Sequence, residues 1–369
     1  MNKRIGIITL NGYFNYGNRL QNYALQEVLK SYGFLVETIL VKVQKEEKEK
    51  GENYKIELIL KYIKSILKFV LRYKRHEKIR TQRFLEFSKK HIHETDFFIF
   101  ENNVPSEVVS KYDFFVTGSD QVWNPEYNGM SSVYFLTFAP KSKRISYAAS
   151  FGISDLPNES IQKYKKWLSE IKYLSVREEA GAKIVKELTG RDAEVHLDPT
   201  LLLTKEEWMC ISRESPNKPK AKYILTYFLG NISEVRQKII NDIAEEYQLE
   251  VVSLANIKDK RTYIADPSEF LDYIDSAELI LTDSFHGSVF SILFEKPFIV
   301  FEREGHEKPM TSRLDTLLSK FQLQSRKWGN IGKNEIFEVD YSHIPDILER
   351  ERKKALNYLE KALEIREIK

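Results

Sequence analysis

The stretch TDSFHGSVFSILFEKPFIVF, residues 282–301, carries the pattern on which the fold turns. The run before it, ELILTDS (278–284), is apolar and then polar, and predicts a buried strand ending in a turn. GSVFSILFE (287–295) predicts a helix and FIVFER (298–303) the next strand. Strand, turn, helix and strand make a parallel α/β unit, and ligands of such units sit outside the carboxyl ends of the strands. His286 falls at that end, where the strand gives way to the helix.

The same alternation extends in both directions. RIGIITL (4–10) and FLVETILV (34–41) predict strands around a helix at 19–33 that stops at Gly33. A charged stretch (42–55) and a long helical pattern (56–90) interrupt the series. It resumes with strands at 112–118, 143–150, 173–178 and 193–199, and helices at 160–171 and 178–190. The polar segment SRESPNKPKAK (212–222) reads as a linker. Beyond it, strands at 223–229 and 250–255 and helices at 233–247 and 268–277 lead into the opening motif. The expected architecture is two Rossmann-like α/β domains facing across a cleft. Residues 1–211 form the first, with the 56–90 helix inserted, and 223–345 form the second; a helix at 346–369 ends the chain. Three strand-end loops stand out: NGYFNYGN (11–18), GSDQVWNP (118–125) and TDSFHGS (282–288).

Composition narrows the class. The 369 residues exceed one ordinary core, and a net charge of +3 gives no reason to expect a nucleic-acid partner. A single cysteine, Cys210, permits no internal disulfide and fits a reducing compartment. No long apolar run or signal-like segment is present, so the expected location is cytoplasmic. The HIH triplet (91–93) lacks a third ligand and no Asp-x-Asp pair occurs, so no metal is expected.

Six segments, in order, carry a family resemblance: NYGNRLQNYALQ (15–26), VTGSDQVWNP (116–125), YAASFG (147–152), LSVREE (174–179), LDPTLLL (197–203) and the opening stretch, 282–301. Together they resemble the polysaccharide pyruvyl transferase family, from about residue 5 to about residue 320. The resemblance implies a fold like that of B-type glycosyltransferases, without a cofactor. It implies transfer of pyruvate from phosphoenolpyruvate, as co-substrate, to two hydroxyls of a surface glycan or its lipid-linked precursor, giving a cyclic ketal. The sequence departs from the family pattern at one place. Where an arginine stands two residues before the histidine, this chain has Ser284.

Ketal formation needs cations or a helix N-terminus for the donor's phosphate and carboxylate. It also needs an acid for the donor methylene and a base for the acceptor hydroxyl. His286 suits proton transfer near neutral pH, and a helix cap is its alternative reading. Ser284, Gly287 and Ser288 flank it, and the N–H groups opening the helix can hold an anion. Arg177 matches the family's other arginine, with a salt bridge to Glu178 or Glu179 as the alternative. Arg303, His306, Lys308 and Arg313 can supply the charge missing at 284. Asp120 can orient or deprotonate a sugar hydroxyl, and Trp123 can stack on a sugar or anchor its loop. Asn15, Tyr16 and Asn18 are placed to meet the acceptor, while Asn18 can equally cap the helix that follows.

Two other functions fit the same residues: a metal-independent B-type glycosyltransferase using a nucleotide sugar, or a non-catalytic glycan-binding relative. The segment IELILKYIKSILKFVLRYKRHEKIR (56–80) is a basic amphipathic helix. It suits peripheral contact with the inner face of a membrane, or packing on its own domain with a solvated basic face.

Overall fold

The computed structural model describes residues 3–42, 59–101, 103–305, 312–332 and 335–365, the side chains of 59–73 and 128 excepted. Strand β1 (Arg4–Ile8) is buried from Ile5 onward. After its loop, Asn15 caps helix α1 (Tyr16–Ser31) by accepting from the Asn18 N–H at 3.1 Å. β2 (Leu35–Val41) returns beside β1, with Arg4 opposite Leu35. Helix α2 (Ile59–His91) then leads to β3 (Glu94–Ile99), an edge strand that the sequence pattern did not reveal. Its run ETDFFI mixes charged and aromatic residues, because one side of an edge strand meets solvent. β4 (Phe114–Thr117) lies on the other side of β1 and β5 (Arg144–Ser146) beyond it, giving the parallel order β3-β2-β1-β4-β5.

The strand expected at 143–150 is regular only over β5; Ala149 then bridges to both Asp120 and Val176. That crossing leads to a small pair, β6 (Ser175–Val176) and β7 (Glu194–Val195), joined by helix α3 (Glu179–Thr189). β6 is shorter than the expected 173–178 strand because Arg177 and Glu178 leave the ladder for buried polar partners.

The second sheet is again wholly parallel. β8 (Tyr223–Tyr227) and β9 (Glu250–Leu254) precede helix α4 (Pro267–Ser276). β10 (Leu279–Thr282), helix α5 (Phe285–Leu293) and β11 (Phe298–Val300) complete the order β11-β10-β8-β9. Every residue of β10 is buried, as a central parallel strand covered on both faces requires. Residues 212–222 are docked rather than loose: Lys218 pairs with Asp272 at 2.6 Å, and Arg213 pairs with Asp266 and Glu269.

Helices α6 (Ser312–Lys320) and α7 (Ile344–Ala362) end the fold. α7 packs back on the first sheet's unit: Tyr358 Oη donates to the Ser146 carbonyl, and Arg352 to the carbonyls of Leu201 and Leu203, all at 2.7 Å. One apolar cluster runs without a break from β1 and α1 to β10 and α5. Tyr16 sits at its centre, stacked on Phe270 with ring centroids 4.6 Å apart.

Candidate active site

The carboxyl ends of β1, β4, β8, β10 and β11 open on a shared cleft of about 810 Å³. The first unit lines it with Asn15, Asn18, Asp120 and Gln121. The second contributes Ser284, Phe285, His286, Arg303 and Arg313.

The floor is a dense ionic network. Arg177, 3% exposed, leaves β6 beneath the cleft and donates to Asp198 Oδ2 at 2.5 Å and to Asp120 Oδ1 at 3.4 Å. Its guanidinium lies 4.2 Å from the centre of the Phe285 ring. Ser119 Oγ donates to Asp198 Oδ2 at 2.9 Å, and Thr200 donates to Oδ1 through both its N–H and its hydroxyl. Burial alone would raise the pKa of Asp198, but His286, Arg177 and Thr200 outweigh it and hold the group far below the carboxylate range. Asp120 follows the same logic. Burial opposes its charge, yet Arg177, His286 and Arg313 hold its pKa below normal. Its backbone is left-handed, φ 65°, a conformation aspartate tolerates better than most residues, and Asn18 Nδ2 donates to Oδ2 at 3.4 Å.

His286 reaches this floor from the opposite unit. It is 5% exposed, and its Nε2 lies 3.6 Å from Asp198 Oδ2 and has no hydrogen-bond partner. The ring packs on Gly17 at the start of α1. A Cβ there would stand 2.0 Å from Nδ1, so only glycine leaves the imidazole its place. Helix α5 begins at Phe285, two residues before the position expected from sequence, because Ser284 caps it. Ser284 Oγ accepts from the Gly287 N–H at 3.3 Å, and the Ser284 carbonyl accepts from Ser288 N–H and Oγ. Gly287 and Ser288 are therefore spent within the helix cap rather than turned to a ligand. Gly287 instead packs against Thr282, where a Cβ would meet Oγ1 at 2.6 Å.

Other expected residues are also relocated. Trp123 is fully buried, stacked on Phe135 and donating Nε1–H to the Tyr134 carbonyl at 3.0 Å, so it anchors its loop and faces no sugar. Tyr16 is equally buried and joins the two units, its hydroxyl donating to the Ala265 carbonyl at 3.1 Å. Arg177 holds carboxylates beneath the cleft instead of lining it. Arg303 lines the cleft but leans on Asp283, with Nε 3.5 Å from its Oδ2. Lys308 and His306 lie outside the described residues. Asp198 was missed as a site residue although LDPTLLL had been singled out; a proline-threonine turn gives no hint of an arginine partner 21 residues earlier. Arg80 of α2 was missed too. It lines the cleft and donates to Tyr16 Oη at 2.9 Å and to the Phe14 carbonyl at 3.0 Å.

Two parallel sheets with a polar cleft between them define a two-domain, Rossmann-like fold of the B-type glycosyltransferase kind. S. aureus MnaA, in its structure with UDP, aligns with a TM-score of 0.50 at 11% identity, over 99% of this chain and 98% of that one. A Listeria monocytogenes protein assigned as a UDP-N-acetylglucosamine 2-epimerase aligns equally well, at 10% identity over 97% of this chain and 90% of that one. At such identities the likeness speaks for the fold alone. No curated protein matches the sequence. The model of the polysaccharide pyruvyl transferase family matches residues 15–305. The chain belongs to that family and is a transferase.

Proposed function

We propose that this protein moves pyruvate from phosphoenolpyruvate onto two hydroxyls of a sugar in a surface polysaccharide, such as a capsule or exopolysaccharide, or in its lipid-linked precursor. One observation carries the reading. His286 from one unit, its Nε2 3.6 Å from Asp198 and with no closer hydrogen-bond partner among the described residues, and Asp120 from the other, held ionised, meet at the same cleft. His286 gives a proton to the donor methylene, leaving a cationic centre at the carbon bearing carboxylate and phosphate. Asp120 takes the proton of the attacking hydroxyl. The carbon–oxygen bond to phosphate then breaks with its electron pair, and the second hydroxyl closes the ketal. The second hydroxyl's proton reloads His286 and the first passes from Asp120 to phosphate, which closes the balance; the proposal invokes no cofactor, metal or nucleic acid. Asn15 and Asn18 stand on the acceptor side, and Ser284 and Arg303 on the donor side.

The proposal places the reaction in the cytoplasm, and at the inner membrane face for a lipid-linked acceptor. Among the described residues no helix is long and apolar enough to cross a membrane. The side chains that would touch lipid fall mainly within 56–73, outside those described. Flotation with anionic liposomes tests this part, and protein left at the bottom of the gradient refutes it.

Titration calorimetry tests the donor. Saturable binding of phosphoenolpyruvate, with none of UDP-sugars, is expected. The reverse result would make the protein a nucleotide-sugar glycosyltransferase. A glycan-binding protein without activity would bind its glycan and tolerate His286→Ala unchanged.

A further inference from the structure

Four arginines lie at the cleft, and their states differ; Arg80 donates to Tyr16 Oη and the Phe14 carbonyl. Arg177 is held between Asp198 and Asp120, and Arg303 by Asp283. Arg313, on the first turn of α6, is only 6% exposed and lines the cleft. Among the described residues it forms no salt bridge, and its Nε, like that of Arg177, has no hydrogen-bond partner there. Burial and the like charge of Arg177, opposed by the nearby carboxylates of Glu178 and Asp120, lower its pKa to about 10, which still leaves it charged at neutral pH. A buried guanidinium that no salt bridge holds is costly, so such a group calls for a ligand that completes it. α6 fixes its position: Thr316 Oγ1 accepts from the Glu179 N–H of the first unit at 3.3 Å.

A second feature faces the same space. Phe285 and His286 open α5 at the cleft, where their N–H groups have no acceptor within the helix. The helix dipole there favours an anion.

We propose that Arg313 is the phosphate-binding cation of this enzyme, holding the donor's phosphate against the N-terminus of α5 and replacing the arginine that the family pattern puts at Ser284. The inference rests on the phosphoenolpyruvate reading and deepens it. Phosphate is the leaving group, so a cation on its oxygens speeds departure as well as binding.

The test uses full-length wild type, Arg313→Met, Arg313→Lys and the double variant Ser284→Arg/Arg313→Met. Each is titrated with phosphoenolpyruvate, inorganic phosphate and pyruvate, and melted without ligand. Arg313→Met should weaken phosphoenolpyruvate and phosphate at least tenfold and leave pyruvate unchanged. It should also melt at or above the wild-type temperature, because it removes a buried charge that no salt bridge holds among the described residues. Arg313→Lys should keep part of the affinity, and Ser284→Arg should restore some of it to Arg313→Met. Wild type that binds phosphoenolpyruvate alongside an Arg313→Met that binds it equally would overturn the inference alone. A loss confined to pyruvate would show that Arg313 holds the carboxylate, and a lower melting temperature that it is structural; either overturns it. Wild type that binds neither phosphoenolpyruvate nor phosphate would overturn the donor reading as well.

Discussion

Arg177, beneath the cleft, and Arg313, on its wall, are buried to nearly the same degree, yet their surroundings differ. Arg177 is enclosed by two carboxylates, which in turn are fixed by Ser119, Thr200 and Asn18. Arg313 has no such enclosure, and the His286 Nε2 beside the same floor is also unpartnered. The floor's charges are paired within the protein, although Arg177 Nε has no hydrogen-bond acceptor among the described residues, whereas the wall carries a cation that no salt bridge holds among those residues. Groups whose hydrogen bonds are complete set a geometry, and groups whose bonds are incomplete are the ones a substrate can engage. The difference assigns scaffold to Arg177 and Asp198 and chemistry to the groups set around them, Asp120, His286 and Arg313.

The largest effect should come from breaking the floor. Asp198→Asn strips the main counter-charge from Arg177 and should cost about 3–5 kcal/mol of stability, as removal of one partner from a buried pair does. Urea denaturation measures it, and a loss below about 0.5 kcal/mol would erase the distinction between floor and wall. On the wall, His286→Ala should lower turnover roughly 10²–10⁴-fold, the range of general acid–base catalysis. The melting temperature should fall as well, because the variant empties a buried ring site and removes a counter-charge from Asp198, so turnover is compared per folded protein.

Gly17→Ala tests whether wall and floor must stay in register. The added Cβ would stand 2.0 Å from His286 Nδ1 and must push the imidazole aside. A displacement of about 1 Å can cost about 100-fold in rate. Helix propensity meanwhile favours alanine by about 1 kcal/mol, so turnover should fall without a matching loss of stability. Equal activity in the variant would show that the ring's position is not critical.

The smallest effect belongs to a paired group far from the cleft. Glu351 on α7 accepts from Lys320 at 2.8 Å and Lys354 at 2.7 Å; although burial opposes its charge, these lysines lower its pKa to about 2. A depressed folded-state pKa stabilises fully above the unfolded value and less as pH falls toward the folded one. Glu351→Gln should therefore cost about 1 kcal/mol at pH 7, discounted for the exposure of its partners, with the gap closing between about pH 4.5 and pH 2. A gap unchanged with pH would mean that packing, not charge, holds α7.

The fold class was legible because buried parallel strands leave short apolar runs such as LILT and FIV, each followed by a polar loop. The edge strand β3 was not, since half its surface meets solvent and its apolar signal is diluted. Strand-end position was enough to mark Asn18, Asp120, Ser284 and His286 as neighbours of a cleft, because topology alone brings those loops together. Direction was not legible. Whether the indole of Trp123 turns to a sugar or to Phe135 depends on packing across 11 residues and more, which no local pattern encodes. The same holds for the choice between Arg303 and Arg313, which is decided by where Asp283 points. Gly17 was quoted only as part of a loop; its purpose depends on a histidine that reaches it from the other sheet.

The central claim is tested most directly by following [2-¹³C]phosphoenolpyruvate by NMR with full-length protein and the glycan fraction of the producing cells. The account predicts that the enol carbon signal gives way to that of a ketal carbon bonded to a methyl group, with one phosphate released per ketal, and that His286→Ala abolishes the conversion. Unconsumed phosphoenolpyruvate, alongside transfer of sugar from a labelled nucleotide sugar in the same fraction, would contradict it.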